Sequence, residues 1–342
     1  MVVNLTFRER ILHRLHLLPT PVMDAFASVL YGRGLAVAVR AGFFEALRDG
    51  ALEPDEIARR SGLHVSGVRL LADGFVLGGY CRHRGGRYAL SGEGKRWLLV
   101  DSPHSVVHLI RYFEMLHSRW AGLEETLRNG KPRAPYYAVF GDADWEAYVL
   151  GMRELSRLLL PAVLSRLTIP AGASHLLDVG GSHGLFAIEC CQRFPRLTAT
   201  VIDFPGALVH GAQFIRGAGL EQRVIQQAGD FLEGPLPANQ DVILVFNIIH
   251  GLNEEQNRHL CNRLLGILTK GGRMYILDQL RPSAGSSRLA GFLPLMVGLN
   301  LLHEIGGTAY ARSDVVRWCA HAGSIRQRKL GIPGVLLIEI VK

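Results

Sequence analysis

The chain has 342 residues, of which 48% are hydrophobic and 20% are charged, and its formal net charge is +8. This length suits two domains with a sizeable core, and the composition excludes a disordered or collagen-like chain. The five cysteines show no C-x-x-C spacing, which indicates neither a disulfide framework nor a zinc site. We therefore expect a protein of the reducing cytoplasm that needs no metal.

Neither the amino terminus nor the longest apolar run predicts a membrane segment. Residues 1–18 mix arginines and Glu9 with apolar residues, so they lack the apolar core of a signal peptide. The longest uncharged apolar run, residues 289–302, is shorter than the roughly 20 residues that span a bilayer and contains Pro294. We interpret this run as a pair of core or pocket-lining helices and expect no membrane partner.

Residues 21–100 have the pattern of a winged helix. Paired glycines, Gly85 and Gly86, are typical of a two-residue hairpin turn between short strands. Apolar spacing predicts helices before this hairpin, at residues 32–47, 53–60 and 65–77.

A winged helix raises the possibility of DNA binding. The wing is basic through Arg82, Arg84 and Arg87, but helix 65–77 offers little beyond Arg69 to read bases. The positive charge elsewhere is dispersed over the chain, as on an ordinary basic surface. We therefore expect a packing module and no nucleic-acid partner.

Residues 105–167 are predicted to be largely helical, with a break near residues 130–135. A helix over residues 145–156 places Tyr148 and Met152 four positions apart on one face. Two interpretations of this face stay open: it packs in the core, or it covers bound small molecules as part of a substrate site.

From about residue 171 the chain alternates strands and helices, which predicts an α/β sheet with a carboxyl-edge ligand site. Strands are expected near 175–179, 198–203, 223–228, 241–249 and 273–278, and a final hairpin near 324–330 and 335–341. The first strand ends in Asp178 and leads into Gly180, Gly181 and Gly184. A carboxylate at this place would repel a pyrophosphate, whereas a cationic ligand such as S-adenosylmethionine (SAM) would tolerate it.

The following strand ends carry further candidate residues at the same edge. Asp203 and Phe204 follow the second strand, where a carboxylate can accept both ribose hydroxyls of a nucleoside. Asp230 and Phe231 suit an adenine pocket, with an acceptor for the amine and a ring for stacking. The fourth strand runs through Asn247 to His250, and the fifth ends at Asp278, so these three residues complete the rim.

These motifs resemble those of SAM-dependent O-methyltransferases of the caffeic-acid and hydroxyindole type. The family's D-V-G-G-G-x-G matches residues 178–184 with Ser182 as the exception, and its G-D-[FM] matches residues 229–231. Its catalytic L-H-D-W-x-D-E matches residues 249–255, where His250 is kept and the next two positions are Gly251 and Leu252. The resemblance covers nearly the whole chain.

The resemblance implies a Rossmann-like class I methyltransferase sheet of seven strands with an antiparallel edge hairpin. It also implies a mostly α-helical, winged-helix dimerisation domain at residues 1–100, a helical linker and substrate cap at 101–170, and a SAM-binding domain at 171–342. The expected protein is a homodimer that methylates a hydroxyl of a small aromatic metabolite. SAM would contact Asp178, the three glycines, Asp203, Phe204, Asp230, Phe231 and Asn247.

The same resemblance implies that His250 is the general base and that Asp278 orients it. The acceptor would meet Tyr148 and Met152. His303, which precedes the paired glycines Gly306 and Gly307, has two open interpretations: it meets the acceptor, or it lies in the core or at the surface. The family's supporting glutamate falls on Ala309, a departure that keeps C-methylation or a non-methylating use of SAM open. A regulator with a nucleoside-sensing domain is the alternative from another class of protein.

Overall fold

The computed structural model describes residues 7–15, 17–18, 20–132, 134–281 and 287–342. Residues 1–6 lie outside these ranges; they begin the N-terminal segment for which we predict no signal peptide. The chain forms two compact units, Met1–Leu116 and His117–Lys342. The sequence-based boundaries after residues 100 and 170 differ from this single division, and the roles assigned to those segments stay predictions.

The N-terminal unit is mostly helical and ends in a small hairpin and two further helices. Its elements are α1 (Phe7–Arg14), α2 (Thr20–Val22), a π-helical turn (Met23–Ala27), α3 (Ser28–Arg40), α4 (Phe43–Ala46), α5 (Pro54–Ser61), α6 (Val65–Leu77), β1 (Cys81–Arg84), β2 (Arg87–Leu90), α7 (Gly92–Trp97) and α8 (Val107–His117).

Helices α5 and α6 and the β1–β2 hairpin form the expected helix–turn–helix and wing. Gly85 and Gly86 both have positive φ angles, of 57° and 76°, which the two-residue turn requires. The single helix predicted over residues 32–47 is wrong. Gly42 adopts a left-handed φ of 74° and separates α3 from α4, so that Phe43 and Phe44 enter the core.

One helical stretch of the described residues, Thr20–Arg40, is long and apolar enough to cross a membrane. Length and composition are the whole of this criterion, and core helices of soluble proteins meet it too. Large apolar side chains on the stretch are exposed: Val22, Phe26, Val29 and Leu30.

The C-terminal unit contains helices followed by an α/β sheet. Its elements are a 3₁₀ turn (Arg119–Gly122), α9 (Leu123–Asn129), a 3₁₀ turn (Tyr136–Ala138), α10 (Asp142–Leu164), β3 (His175–Val179), α11 (Leu185–Arg193), β4 (Thr198–Asp203), α12 (Pro205–Gly217), β5 (Val224–Ala228), β6 (Gln240–Phe246), a 3₁₀ turn (Ile249–Gly251), α13 (Glu254–Ile267), β7 (Leu268–Gln279), α14 (Arg288–Ile305), α15 (Arg312–Trp318), β8 (Ser324–Arg328) and β9 (Val335–Val341).

The seven strands lie in the order β5-β4-β3-β6-β7-β9-β8. The first five are parallel and β9 pairs antiparallel with both β7 and β8, which confirms the class I methyltransferase sheet and its edge hairpin. Successive β3 residues Leu176 and Leu177 are buried in separate clusters on opposite faces. Burial on both faces explains why the strands are continuous apolar runs.

Two predicted elements differ from the structure. Strand β6 stops at Phe246 rather than at residue 249, because Asn247 adopts a left-handed φ of 56° that ends the extended chain. The helix pair expected over residues 289–302 is one helix, α14. This helix continues through Pro294, which packs against the backbone of Gly334.

Candidate active site

The glycine turn after β3 is tightly enclosed. Gly180 has a φ of 64°, and a Cβ atom there would lie 2.2 Å from Cδ1 of Ile248. At Gly181 a Cβ would lie 2.5 Å from Cγ of Asp178. Gly184 has a φ of 66° and begins α11 as its N-cap. The turn therefore needs glycine at these positions, and its bare backbone lies where a ligand can approach closely.

Two buried carboxylates lie beside this turn. Asp178 is 2% exposed, and its Oδ2 atom has no hydrogen-bond partner among the described residues. Asp203, at the end of β4, accepts hydrogen bonds from the backbone N–H groups of Ser182 (2.9 Å) and Phe204 (2.7 Å). The neighbouring strand ends thus bring Asp178, Asp203 and Phe204 to the glycine turn, as the sequence predicts.

Burial governs the charge of both acids. It raises the pKa of Asp178 to about 7, with a further contribution from the Asp203 carboxylate, and it raises the pKa of Asp203 to about 6. A buried carboxylate oxygen without a hydrogen-bond partner, such as Oδ2 of Asp178, is costly until a cation or a hydrogen-bond donor reaches it. These residues fit a ligand that carries a positive charge and ribose hydroxyls, as SAM does, and they do not suit a pyrophosphate.

The loop after β5 reaches the same turn. The Phe231 ring lies 3.8 Å from the Cβ position of Gly180, and Asp230 accepts a hydrogen bond of 2.7 Å from the backbone of Leu232. Arg263 of α13 holds this loop by donating to the carbonyl oxygens of Phe231, Leu232 and Gly234. Sequence reasoning missed Arg263, since no local motif marks a long-range contact to backbone oxygens.

His250 and Asp278 form a direct pair at the ends of β6 and β7. Nδ1 of His250 lies 2.6 Å from Oδ1 of Asp278, and the backbone N–H of His250 donates to Oδ2 at 3.3 Å. Asp278 is fully buried, whereas the His250 side chain keeps 15% of its surface exposed. Because a carboxylate accepts at Nδ1, that nitrogen carries the proton and Nε2 is the proton acceptor. This arrangement suits a general base, and that role for His250 stays a prediction.

Asn247 occupies the bend between β6 and His250. Its backbone N–H donates to the Leu277 carbonyl at 2.8 Å, and its side-chain oxygen accepts from Gln279 at 3.1 Å. These contacts fix the path of the chain toward His250. Contact between Asn247 and SAM stays a prediction.

Tyr148 and Met152, both on α10, are half-buried. Tyr148 belongs to an aromatic cluster that the sequence analysis did not identify. Its ring lies 5.8 Å from that of Tyr136 and 6.2 Å from that of Phe140. The two rings come from the chain between α9 and α10, where the sequence predicts only a break.

His303 lies away from any exposed surface. It is fully buried on α14, where Nδ1 pairs with the Thr126 hydroxyl at 2.8 Å and Nε2 with the carbonyl oxygen of Arg119 at 2.9 Å. With both ring nitrogens engaged, the imidazole holds helices together and cannot meet an acceptor in this conformation. The expected acceptor contact at His303 is thus opposed by its geometry.

His183, within the glycine motif, is also buried. Its Nδ1 accepts the backbone N–H of Leu185 at 3.1 Å, and Nε2 lies 3.1 Å from the Ser156 hydroxyl. Burial, with the nearby Arg153 charge, lowers its pKa to about 3. An imidazole with a pKa this low is neutral near neutral pH, and its hydrogen bonds at both nitrogens position the start of α11.

Comparison with known proteins identifies the family of this chain. Residues 120–323 match the family described as the O-methyltransferase domain. The chain is 27% identical over 330 residues to 3-hydroxy-5-methyl-1-naphthoate 3-O-methyltransferase of Streptomyces sahachiroi, covering 92% of this chain and 93% of that protein. It is also 27% identical over 308 residues to mouse acetylserotonin O-methyltransferase, covering 83% and 78% of the two chains.

The fold is also similar to that of a solved methyltransferase structure. The structure of human N-acetylserotonin methyltransferase in complex with SAM superposes with a TM-score of 0.83 at 21% sequence identity, over 94% of this chain and 97% of that one. The match to the O-methyltransferase domain covers more than half of the 342 residues. The chain therefore belongs to the O-methyltransferase family, whose methyl donor is SAM.

Proposed function

We propose that this protein transfers the methyl group of SAM to a hydroxyl of a small aromatic metabolite, with His250 as general base. The observation that carries the proposal is the His250–Asp278 pair. It lies at the carboxyl edge of the sheet, which also holds Asp178 on β3, the strand beside β6, and Asp203 on β4, the next strand along. A base and a cation-binding site at one edge are what methyl transfer to a hydroxyl requires.

Each residue has a role that follows from its contacts. Asp203 would accept the ribose hydroxyls, Asp178 would balance positive charge, and Asp230 with Phe231 would hold the adenine. Bound SAM supplies a strongly electrophilic methyl group. A phenol is only about one part in a thousand ionised at neutral pH, so Nε2 of His250 takes its proton as the oxygen attacks. Asp278 keeps the imidazole oriented and stabilises its charged form.

The aromatic cluster around Tyr148 favours a flat acceptor. Aromatic faces stack on planar rings, and the half-buried Met152 thioether on the same helix adapts to varied shapes. The relatives named above act on a hydroxynaphthoate and on acetylserotonin, both of which carry fused rings. We propose a hydroxylated planar arene of one to three rings as the acceptor class.

The proposed assembly is a homodimer built by residues 1–100. Its support is the exposed apolar surface of the helical stretch Thr20–Arg40, where Phe26 is 67% exposed and Leu30 is 55% exposed. Apolar side chains in such numbers favour burial against a partner. In a symmetric dimer, this surface of one copy covers the same surface of the other. We assign residues 101–170 to the substrate cap and place the protein in the cytoplasm, where its five buried thiols stay reduced.

The charges of helix α6 and of the wing give the DNA-binding alternative little support. Arg69 pairs with Asp55 at 3.5 Å and Arg87 pairs with Glu53 at 3.3 Å, which reduces the charge available to phosphates. A salt-dependent mobility shift of duplex DNA that is lost with Arg82→Ala and Arg84→Ala would favour that alternative.

Calorimetric titration with SAM tests the proposal, with Asp203→Ala as the matched variant. Micromolar binding that the substitution weakens at least tenfold supports the donor site. A panel of hydroxylated arenes, which includes N-acetylserotonin and hydroxynaphthoates, is then screened for formation of S-adenosylhomocysteine (SAH). Absence of SAM binding at millimolar concentration would remove the assignment.

A further inference from the structure

The chain between α9 and α10 forms a short strap, residues 135–140, that is anchored at both ends. Before the strap, the carbonyl oxygen of Ala134 accepts a hydrogen bond of 2.7 Å from Arg119. Arg119 is itself held by an ion pair with the fully buried Glu304. The amino-terminal end of the strap is therefore fixed, through Arg119, to the buried Glu304 of α14.

The other end of the strap is anchored to α12. The indole of Trp145, in the first turn of α10, lies so close to Gly206 that a Cβ there would be 2.3 Å from its Nε1 atom. Asp142 adds a contact of 3.1 Å with His210. Since α12 begins directly after Phe204, this end of the strap is fixed beside the end of β4.

Between these anchors, two consecutive tyrosines contact different partners. The Tyr137 ring stacks on Phe204, with ring centroids 5.0 Å apart and an interplanar angle of 23°. The Tyr136 ring packs instead on Phe140 at 5.1 Å and on Tyr148 at 5.8 Å. Tyr137 thus faces the residue that follows the ribose-binding Asp203, whereas Tyr136 faces the cluster assigned to the acceptor.

The surroundings of the Tyr137 hydroxyl support its place over the nucleoside end. Burial and then the nearby Asp230 carboxylate raise the pKa of Tyr137 above its usual value. One side chain therefore lies near both Asp230, after β5, and Phe204, after β4. These are the two strand ends assigned to the adenine and the ribose. Tyr137 is still 38% exposed, so it forms the outer surface of this region.

We propose that Tyr137 retains the methyl donor: its ring, stacked on Phe204, covers the nucleoside end of the donor site, and SAM and SAH leave when the strap lifts. Fixed ends and a middle held by side-chain stacking make the strap a hinged cover. This inference rests on the proposed function, because it requires SAM to bind at Asp203 and Asp230.

The test is the dissociation rate of tritiated SAM, measured by a chase with excess unlabelled SAH. Tyr137→Leu keeps apolar bulk but removes the stacking. We expect dissociation to become about tenfold faster, which corresponds to the free energy of one aromatic pair and the area that it buries. Tyr137→Phe keeps the ring and should stay within about twofold of the wild type. Phe194→Ala, at the opposite end of α11 from the glycine turn and 40% exposed, should leave the rate unchanged.

A second readout keeps the proposal testable if Tyr137→Leu is unstable. Hydrogen–deuterium exchange of residues 135–140 in the wild-type protein should slow when SAH is added. The proposed role of Tyr137 would be overturned by an unchanged dissociation rate in folded Tyr137→Leu, or by hydrogen exchange in the strap that SAH does not alter. Neither result would affect the proposed function. Failure of the wild type to bind SAM at millimolar concentration would overturn the proposed function as well.

Discussion

Nδ1 of His250 lies 2.6 Å from Oδ1 of Asp278, although the two residues are 28 positions apart in the chain. The register of the parallel strands explains the contact, because Phe246 of β6 pairs with Leu277 of β7. The chain beyond Phe246 and the residue after Leu277 therefore emerge side by side. Asp278 also accepts the backbone N–H of Gln279 at 2.7 Å, so its carboxylate is fixed before any ligand binds.

Asp278→Asn should lower kcat by about 10²-fold or more, because an amide of the same size cannot stabilise a protonated imidazole. SAM affinity should stay within about twofold, since Asp278 has no assigned contact with the donor. Initial rates of SAH formation and calorimetry with SAM measure the two effects. Equal losses of both would indicate a general structural role instead.

SAM affinity should fall by about tenfold between pH 8 and pH 6. In the free protein the pKa of Asp178 is raised to about 7, so the carboxyl is mostly protonated at pH 6 and must lose its proton to balance a cation. Calorimetry across this interval measures the effect. Asp178→Asn should remove most of the dependence, while titration of SAM itself stays common to both proteins. A wild-type affinity that is constant over the interval would contradict the assignment.

The same raised pKa values predict the pH dependence of stability without SAM. A carboxyl whose pKa is higher in the folded than in the unfolded chain binds its proton more tightly when folded. Asp178 and Asp203, whose pKa values are raised in the folded chain, therefore make the free protein less stable as pH rises from about 4 to about 7. The thermal stabilisation by saturating SAM should accordingly be larger at pH 8 than at pH 6.

Gly181→Ala should lower the free energy of unfolding by about 1–3 kcal/mol and weaken SAM binding, because the new Cβ would overlap Asp178. Gly217→Ala is the matched control. Its Cβ would meet nothing within 4 Å apart from its chain neighbours and the backbone of its own helix, and alanine at this last residue of α12 should change stability by less than about 1 kcal/mol. Urea unfolding compares the two variants. If Gly181→Ala unfolds like the wild type, the turn is less enclosed than its geometry indicates.

Leu30→Asp should convert the proposed dimer to monomer, since a buried charge at an apolar interface costs several kcal/mol. Sedimentation velocity at micromolar concentration measures the change. Val209→Asp, at a 66% exposed position on α12, should leave the assembly intact. A wild-type protein that sediments as a monomer would remove the dimer proposal.

Much of the sheet could be predicted from sequence because its strands are apolar runs buried on both faces. The predicted bounds of β3, β4 and β9 coincide with the structure, and the acids at residues 178, 203 and 278 lie at strand ends as expected. The end of β6 could not be predicted, since Ile248 and Ile249 continue the apolar pattern beyond Asn247, where the backbone turns.

Contacts that join distant segments of the chain could not be predicted from the sequence. Tyr137 and Phe204 carry no shared motif, and their stacking depends on how α10 packs on α12 through Trp145 and Gly206. The contacts of His303 could not be predicted from the sequence either. Its place before Gly306 and Gly307 allowed an acceptor contact, whereas Thr126 and the Arg119 carbonyl oxygen engage both of its nitrogens.

The central claim is that His250 removes the acceptor proton during SAM-dependent methylation, and His250→Ala tests it most directly. SAH formation should be measured with the best acceptor of the hydroxyarene panel, beside calorimetric SAM binding to the same variant. We predict turnover lowered by about 10²- to 10⁴-fold with SAM affinity unchanged. Turnover close to that of the wild type would contradict the claim and favour chemistry that needs no base at this position.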